Sequence, residues 1–260
     1  MEKFRTIKPE LDGAVVTLWL SRPEVHNALN GVMIREILSF FSQIEEVEDI
    51  SVVIIRGQGN SFCSGADLHW MKNAIDLDEA ENLKESRELS DMFDAIFHCS
   101  KIVVAVVHGN VFGGGNGLVA ASDLAYCVND SRFSLSETRI GMVAASITPY
   151  LLQKMKAIDL KELVFTAKSF SADEAVKYGL LNQSLPSQDA LDHYVNELIS
   201  QILANGKQAL VASKHLINKI SIQPIAGEIE QIPGLLAKIR VSPEAQEGFT
   251  AFLEKRKPNW

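Results

Sequence analysis

The sequence contains no run of about 18 consecutive apolar residues, so no segment is suited to cross a bilayer as a helix. Cysteine is scarce as well: Cys63, Cys99 and Cys127 lie far apart, form no C-x-x-C pair and are odd in number. That pattern argues against a disulfide or a metal site and predicts buried free thiols in a reducing cytoplasm. There is no excess of basic charge either, with 25 Lys and Arg against 33 Asp and Glu and a net charge of −8. Without a basic field to displace counterions, nucleic acid is not expected as a partner. The opening "MEKFRTIKPELDG" has no apolar h-region, so a cytoplasmic location is expected. Neither a low-complexity linker nor a repeat with matching residues interrupts the chain.

What is present is an ordinary globular composition, 47% hydrophobic and 22% charged over 260 residues. Ala14–Leu20 and Ser51–Gly57 are β-branched runs ending at Pro or Gly and predict strands, and Ile102–His108 and Leu124–Val128 also read as strands. Between them, Met33, Ile37, Phe40, Phe41 and Ile44 recur at helical spacing within Asn30–Glu46. Leu89, Met92, Phe93, Ile96 and Phe97 do the same within Asp78–Cys99, as a core-facing stripe. Strand, helix, strand in this order predicts an α/β fold with a largely parallel sheet. After about Ser146 the pattern reads as helical. Ser171 to Glu174 forms a capping box, with Gly179 as the stop, and helices are predicted over Ser187–Asn205, Gly206–Ile220 and Pro243–Glu254. The division expected is a core over residues 1–200 and a helical region over 201–260.

One stretch needs its own explanation. "HGNVFGGGNGLVAASD" (His108–Asp123) places four glycines among the five residues 113–117. Gly115 to Ala120 even satisfies G-x-G-x-x-G/A after a strand, the fingerprint of dinucleotide-binding folds. The strand-like "LAYCV" begins only four residues after Ala120, however, which leaves too little chain for a full crossover helix. No acidic ribose anchor follows at the right distance, and no Lys–Ser/Thr pair makes it a P-loop. No nicotinamide or flavin cofactor is therefore expected. The first N–H groups of a helix lack internal partners, and glycine lets a ligand approach them. A second turn, "GQGNSFCSGADLHW" (Gly57–Trp70), is built of the same small residues after another strand. Two such turns supplying one N–H each to a single oxygen would form an oxyanion hole.

With "LSRPEVHNALN", "FCSGADL", "VHGNVFGGGNGLVAASDLAYC", "FSLSETRIGM", "SADEAVKYGLLNQ" and the ending "FLEKRKPNW", the sequence resembles the crotonase (enoyl-CoA hydratase/isomerase) superfamily over essentially its whole length. The resemblance implies a repeated ββα spiral core, a C-terminal helical region that builds homotrimers or dimers of trimers, and an acyl-CoA thioester as substrate, with no separate cofactor or metal. It implies an oxyanion hole from the N–H groups of Ala66 and Gly114, and a general acid/base at Glu137. It also assigns substrate contacts to Val25, Ala28, Ser64, Gly65, Asp67, Leu68, Gly113, Gly117, Ser136 and Gly141. Hydratases of the family carry two glutamates. The later one matches Glu137, and the earlier position is Gly117 here.

That departure leaves the water of a hydration with one of its two usual partners. The expected activity is hydration of a 2-enoyl-CoA. The motifs look like those of bacterial methylglutaconyl-CoA hydratases of leucine breakdown, and a similar glycine occurs in dehydratases of polyketide β-branching. The alternatives are a Δ3,Δ2-enoyl-CoA isomerase and a non-catalytic acyl-CoA- or RNA-binding relative. Asp67 is expected to cap the following helix, and His69 to lie at the pocket rim or surface. His108 is read as a satisfied buried histidine. Arg22, Lys101 and Glu254–Lys257 are candidate contacts for the CoA phosphates.

Overall fold

The computed structural model describes residues 4–74, 76–222, 236 and 242–259. The chain divides into two units, Met1–Asn196 and Glu197–Trp260. The first contains a six-stranded sheet, ordered β1 (Ile7–Asp12), β2 (Val15–Leu20), β3 (Val52–Gly57), β5 (Ile102–Val107), β7 (Leu124–Val128), β10 (Gln183–Leu185). Only the β1–β2 hairpin is antiparallel, and β2 through β10 are parallel. A second sheet has the order β4 (Ser61–Cys63), β6 (Asn110–Phe112), β8 (Arg132–Ser134), β9 (Ser169–Ser171), with β9 antiparallel to the rest. The largely parallel sheet is as expected. The second sheet is new, and β9 and β10 fall inside a stretch that reads as helical from sequence alone.

The two sheets are linked by one device used three times. β3 turns a corner into β4, β5 into β6, and β7 into β8, each time passing from the first sheet to the second. At the middle corner Gly109 has φ 61°, and a Cβ there would overlap the Asn60 carbonyl of the neighbouring corner. Glycine is required because two backbone corners touch. The repeat is thus structural, with no matching residues in the sequence to announce it.

Helices fill the space beside the sheets. α1 (Gly31–Glu45) is capped by the Asn30 side chain accepting from Met33 N, and it buries Met33, Ile37, Phe40, Phe41 and Ile44. α2 (Leu68–Asn73) follows β4, and α3 (Glu79–His98) opens on an Asp78–Glu81 capping box and buries Met92, Phe93, Ile96 and Phe97. α4 (Gly114–Ala121) follows β6, and α5 (Thr148–Lys154) and α6 (Ala157–Thr166) precede β9. α7 (Ala172–Lys177) has the predicted Ser171–Glu174 capping box, and Gly179 follows it at φ 85°. All three cysteines are free and buried, with the Cys63 and Cys127 thiols pushed up to about 12 by burial.

The second unit holds the end of α8 (Gln188–Leu203), α9 (Lys207–Ile222) and a helix over Pro243–Glu254. The Glu244 carboxylate accepts from Gln208 N and Ala209 N at 2.9 and 2.8 Å, which satisfies the first free donors of α9. Arg256 pairs with both Glu247 and Glu254, so one cation of the C-terminal basic cluster is engaged.

Candidate active site

β4, β6 and β8 run parallel, so their C-terminal ends emerge on one edge of the second sheet. Past that edge the three strands lead into Ser64–Asp67, the glycine turn, and the 3-10 turn Glu137–Ile140. Gly113, with φ 46° and ψ −119°, precedes α4. A Cβ on Gly113 would sit 3.3 Å from Glu137 Oε1 and 3.8 Å from Gly65 Cα, and one on Gly65 would sit 3.1 Å from Phe112 O. Gly65, Gly113 and Glu137 therefore meet at one point. Glycine stands at 113 because its φ is positive and the second turn and a carboxylate lie close against it.

The free donors at this junction follow from the backbone. Leu29 forms a parallel bridge with Ala66, taking Gly65 O at 2.7 Å and giving its own carbonyl to Asp67 N at 2.8 Å. That pairing turns the Ala66 N–H away from Leu29, and Ala66 is exposed. Gly114 is the first residue of α4, so its N–H has no intrahelical acceptor. Among the described residues, neither N–H donates to a protein acceptor.

Glu137 is half-buried, and its Oε2 is shielded from solvent with no hydrogen-bond partner among the described residues. Burial raises its pKa above the usual glutamate value, opposed only by its own backbone N–H. The turn that carries it is anchored by Arg139 Nη2 on Ala167 O at 2.6 Å and Thr138 Oγ1 on Val164 O at 2.8 Å. Gly141 closes this turn at φ 73°, and Ser136 precedes it with no side-chain capping bond.

The position of the missing second glutamate is closed. A Cβ on Gly117 would overlap Ile147 Cγ2 and lie 2.7 Å from Phe93 Cε1 and Cζ. Residue 117 therefore faces an apolar wall made by α3 and the residue before α5. Phe93 was legible only as part of a core stripe, and nothing in the sequence marked Ile147 as its partner.

Other predicted residues take structural places. Asp67 caps α2 through His69 N and Trp70 N at 2.8 and 3.2 Å, and pairs with Arg22 Nη2 at 2.7 Å. Burial opposes the Asp67 charge, but Arg22 and the Trp70 and His69 N–H groups outweigh it and hold the carboxyl below its usual value. Arg22 also donates to Ala28 O at 2.6 Å, so it is a brace between the Pro23–Val25 turn and α2 rather than a free phosphate contact. Lys101 is corrected in the same way: only 4% exposed, it donates to Glu45 O and Val47 O at the C-terminal end of α1. Ser64 reaches toward Val25 O at 3.4 Å, Ala28 is buried, and Leu68 is exposed. His69 is exposed, and His108 is half-buried with its Nε2 on Gly59 O at 2.8 Å. Among the described residues no cluster of three or more His, Cys, Asp or Glu is arranged to hold a metal, and no helix is long and apolar enough to cross a membrane.

Three strand corners linking two sheets, with two small-residue turns and a carboxylate gathered past the strand ends, place the chain in a class of α/β protein. The family model described as enoyl-CoA hydratase/isomerase matches residues 10–260, and the chain belongs to that family. It is 28% identical to the peroxisomal Delta(3,5)-Delta(2,4)-dienoyl-CoA isomerase of Arabidopsis thaliana, over 100% of this chain and 98% of that protein. An enoyl-CoA hydratase structure from Shewanella pealeana superposes with a TM-score of 0.94 at 30% identity, covering 99% of this chain and 97% of that one. An enoyl-CoA hydratase structure from Mycobacterium smegmatis gives a TM-score of 0.93 at 30% identity, covering 98% and 99%.

Proposed function

We propose that this enzyme adds water to a 2-enoyl-CoA thioester, with Glu137 as the proton carrier and the N–H groups of Ala66 and Gly114 as the oxyanion hole. The observation that supports it is the meeting of Gly65, Gly113 and the Glu137 carboxylate, whose Oε1 faces Gly113 and whose Oε2 is buried with no partner among the described residues. In this reading the thioester oxygen accepts from the two N–H groups. Glu137 takes a proton from water as the water oxygen bonds to C3, and the negative charge moves through C2 onto the thioester oxygen. Glu137 then returns the proton to C2, so that one water is added across the double bond. Donors fixed where charge develops are each worth about 2.7–4 kcal/mol at the transition state in comparable sites. A carboxylate with its pKa raised toward the working pH suits both halves of the transfer.

The acyl group proposed is methylglutaconyl, on the motif likeness described above, and the assembly proposed is a homotrimer or a dimer of trimers in the cytoplasm. A second reading, migration of a 3-enoyl double bond, is favoured by the apolar wall at Gly117, since a proton shuttle needs no second group to hold a water. Incubation with 2-enoyl-, 3-enoyl- and methylglutaconyl-CoA followed by mass spectrometry separates the two. A product heavier by one water, with methylglutaconyl-CoA the best substrate, is expected. A product of unchanged mass with every thioester would replace hydration by isomerisation, and no turnover at all would remove both.

A further inference from the structure

Asn116 has no part in the reaction described above, yet it is fully buried and its amide reaches both strands that deliver the site. Its Nδ2 lies 2.9 Å from Ser134 O, 3.2 Å from Val111 O and 3.4 Å from Gly113 O. Its Oδ1 is buried with no hydrogen-bond partner among the described residues. A lone buried carbonyl oxygen is destabilising, and a leucine would fill a similar space without it. Packing alone therefore does not account for an amide here. The donor end does.

That donor end sits where two strands part. β6 and β8 pair through Phe112 and Ser134, and Gly113 N still donates to Ser134 O at 3.0 Å. Beyond this point one chain turns into α4, starting with Gly114, and the other reaches Glu137 three residues on. Asn116 spans the fork, gripping Ser134 on one side and Val111 and Gly113 on the other. Its backbone N–H also donates to Gly113 O at 2.9 Å, so the strained glycine is held twice by the same residue. We infer that Asn116 is a positioning residue that sets the spacing between the glycine turn and Glu137, so that its loss slows the chemical step while leaving substrate binding in place. This rests on the reading of Glu137 as proton carrier.

The test uses Asn116→Leu and Asn116→Asp, which keep the branching at Cγ and remove the paired donors. Kinetics are measured with whichever 2-enoyl-CoA the unaltered enzyme turns over fastest, alongside amide hydrogen exchange and with Glu137→Gln in parallel. The expected result is a fall in kcat of about tenfold to a hundredfold, since misplacement by an ångström can cost that much, with KM changed by less than about threefold. Gly113 N–H exchange should quicken by about tenfold or more, with Val53 and Ile55 in β3 unchanged. Wild-type kcat in a folded variant, or unchanged exchange at Gly113, overturns the inference. So does failure of both variants to fold, which would make Asn116 a determinant of the fold itself. Wild-type activity in Glu137→Gln would instead bring down the reading of the reaction, while the exchange result still reports on the fork.

Discussion

The two sheets of this protein do different work. In the six-stranded sheet β3 and β5 are runs of mostly buried Val and Ile, and Phe40 and Phe41 of α1 and Met92 and Phe93 of α3 belong to the same buried cluster. The second sheet is assembled from three-residue strands and owes its shape to corners and turns. Burial of apolar area, at about 25 cal/mol per Å², is concentrated in the first. The second has fewer buried residues, Phe62, Phe133 and Phe170 among them, and collects the ends of three parallel strands at one point. The junction contains a carboxylate oxygen buried without a partner among the described residues and a glycine in a conformation other residues avoid, and packing elsewhere in the fold offsets their cost.

That division is open to attack from both sides. The largest expected effect is on stability alone: Ile55→Ala, in the middle of the first sheet and 1% exposed, should cost about 2–5 kcal/mol in chemical denaturation. Its kcat at low temperature should remain within about twofold of the unaltered enzyme, and a larger drop would mean the sheets are not separable. Next, Gly114→Pro deletes one proposed oxyanion donor and should lower kcat by about 10²–10³. Gly114→Ala is the control, because it adds the same Cβ against Leu29 Cδ1, at 2.8 Å, but keeps the N–H. Equal losses in the two variants would assign the effect to crowding.

A smaller effect is expected at the closed wall. Gly117→Ala should destabilise by about 1–3 kcal/mol through overpacking against Phe93 and Ile147. Gly117→Glu should abolish activity rather than assist it, because the position has no room for the longer side chain. The smallest effect is a pH dependence. Burial raises the Glu137 pKa above its unfolded value. The folded state thus holds that proton more tightly, and stability falls as pH rises from the unfolded pKa through the folded one. Activity runs the other way: kcat/KM should drop on the acid side with a limb above the ordinary glutamate value of 4.5. Glu137→Gln should remove the stability term, which denaturation at two pH values would reveal.

The same contrast explains what could be read from sequence. β2, β3, β5 and α1 were legible because each is long enough to show its period, with boundary signals such as Asn30 at the start of α1 and Gly57 at the end of β3. β4, β6, β8 and β9 were not, since three residues carry no periodicity and their pairing depends on corners such as Gly109 against Asn60. Glu137, Ala66 and Gly114 became candidates through likeness to a family, after the two small-residue turns had suggested an oxyanion hole. Asn116 was passed over because an Asn in a short helix looks like a weak helix former, and its three acceptors lie on segments that meet only in the fold. Arg22 and Lys101 were misjudged for the same reason: a cation in a sequence does not reveal that Asp67 or a helix end has already claimed it.

The central claim is that one carboxylate at the meeting point of the two turns moves the proton. Glu137→Gln keeps the shape and removes the base, so kcat and thioester binding measured together test it directly. The account predicts a fall in kcat of at least about 10²-fold, with a CoA-thioester dissociation constant within about threefold of the unaltered enzyme. Turnover near the original rate, with binding intact, would contradict it.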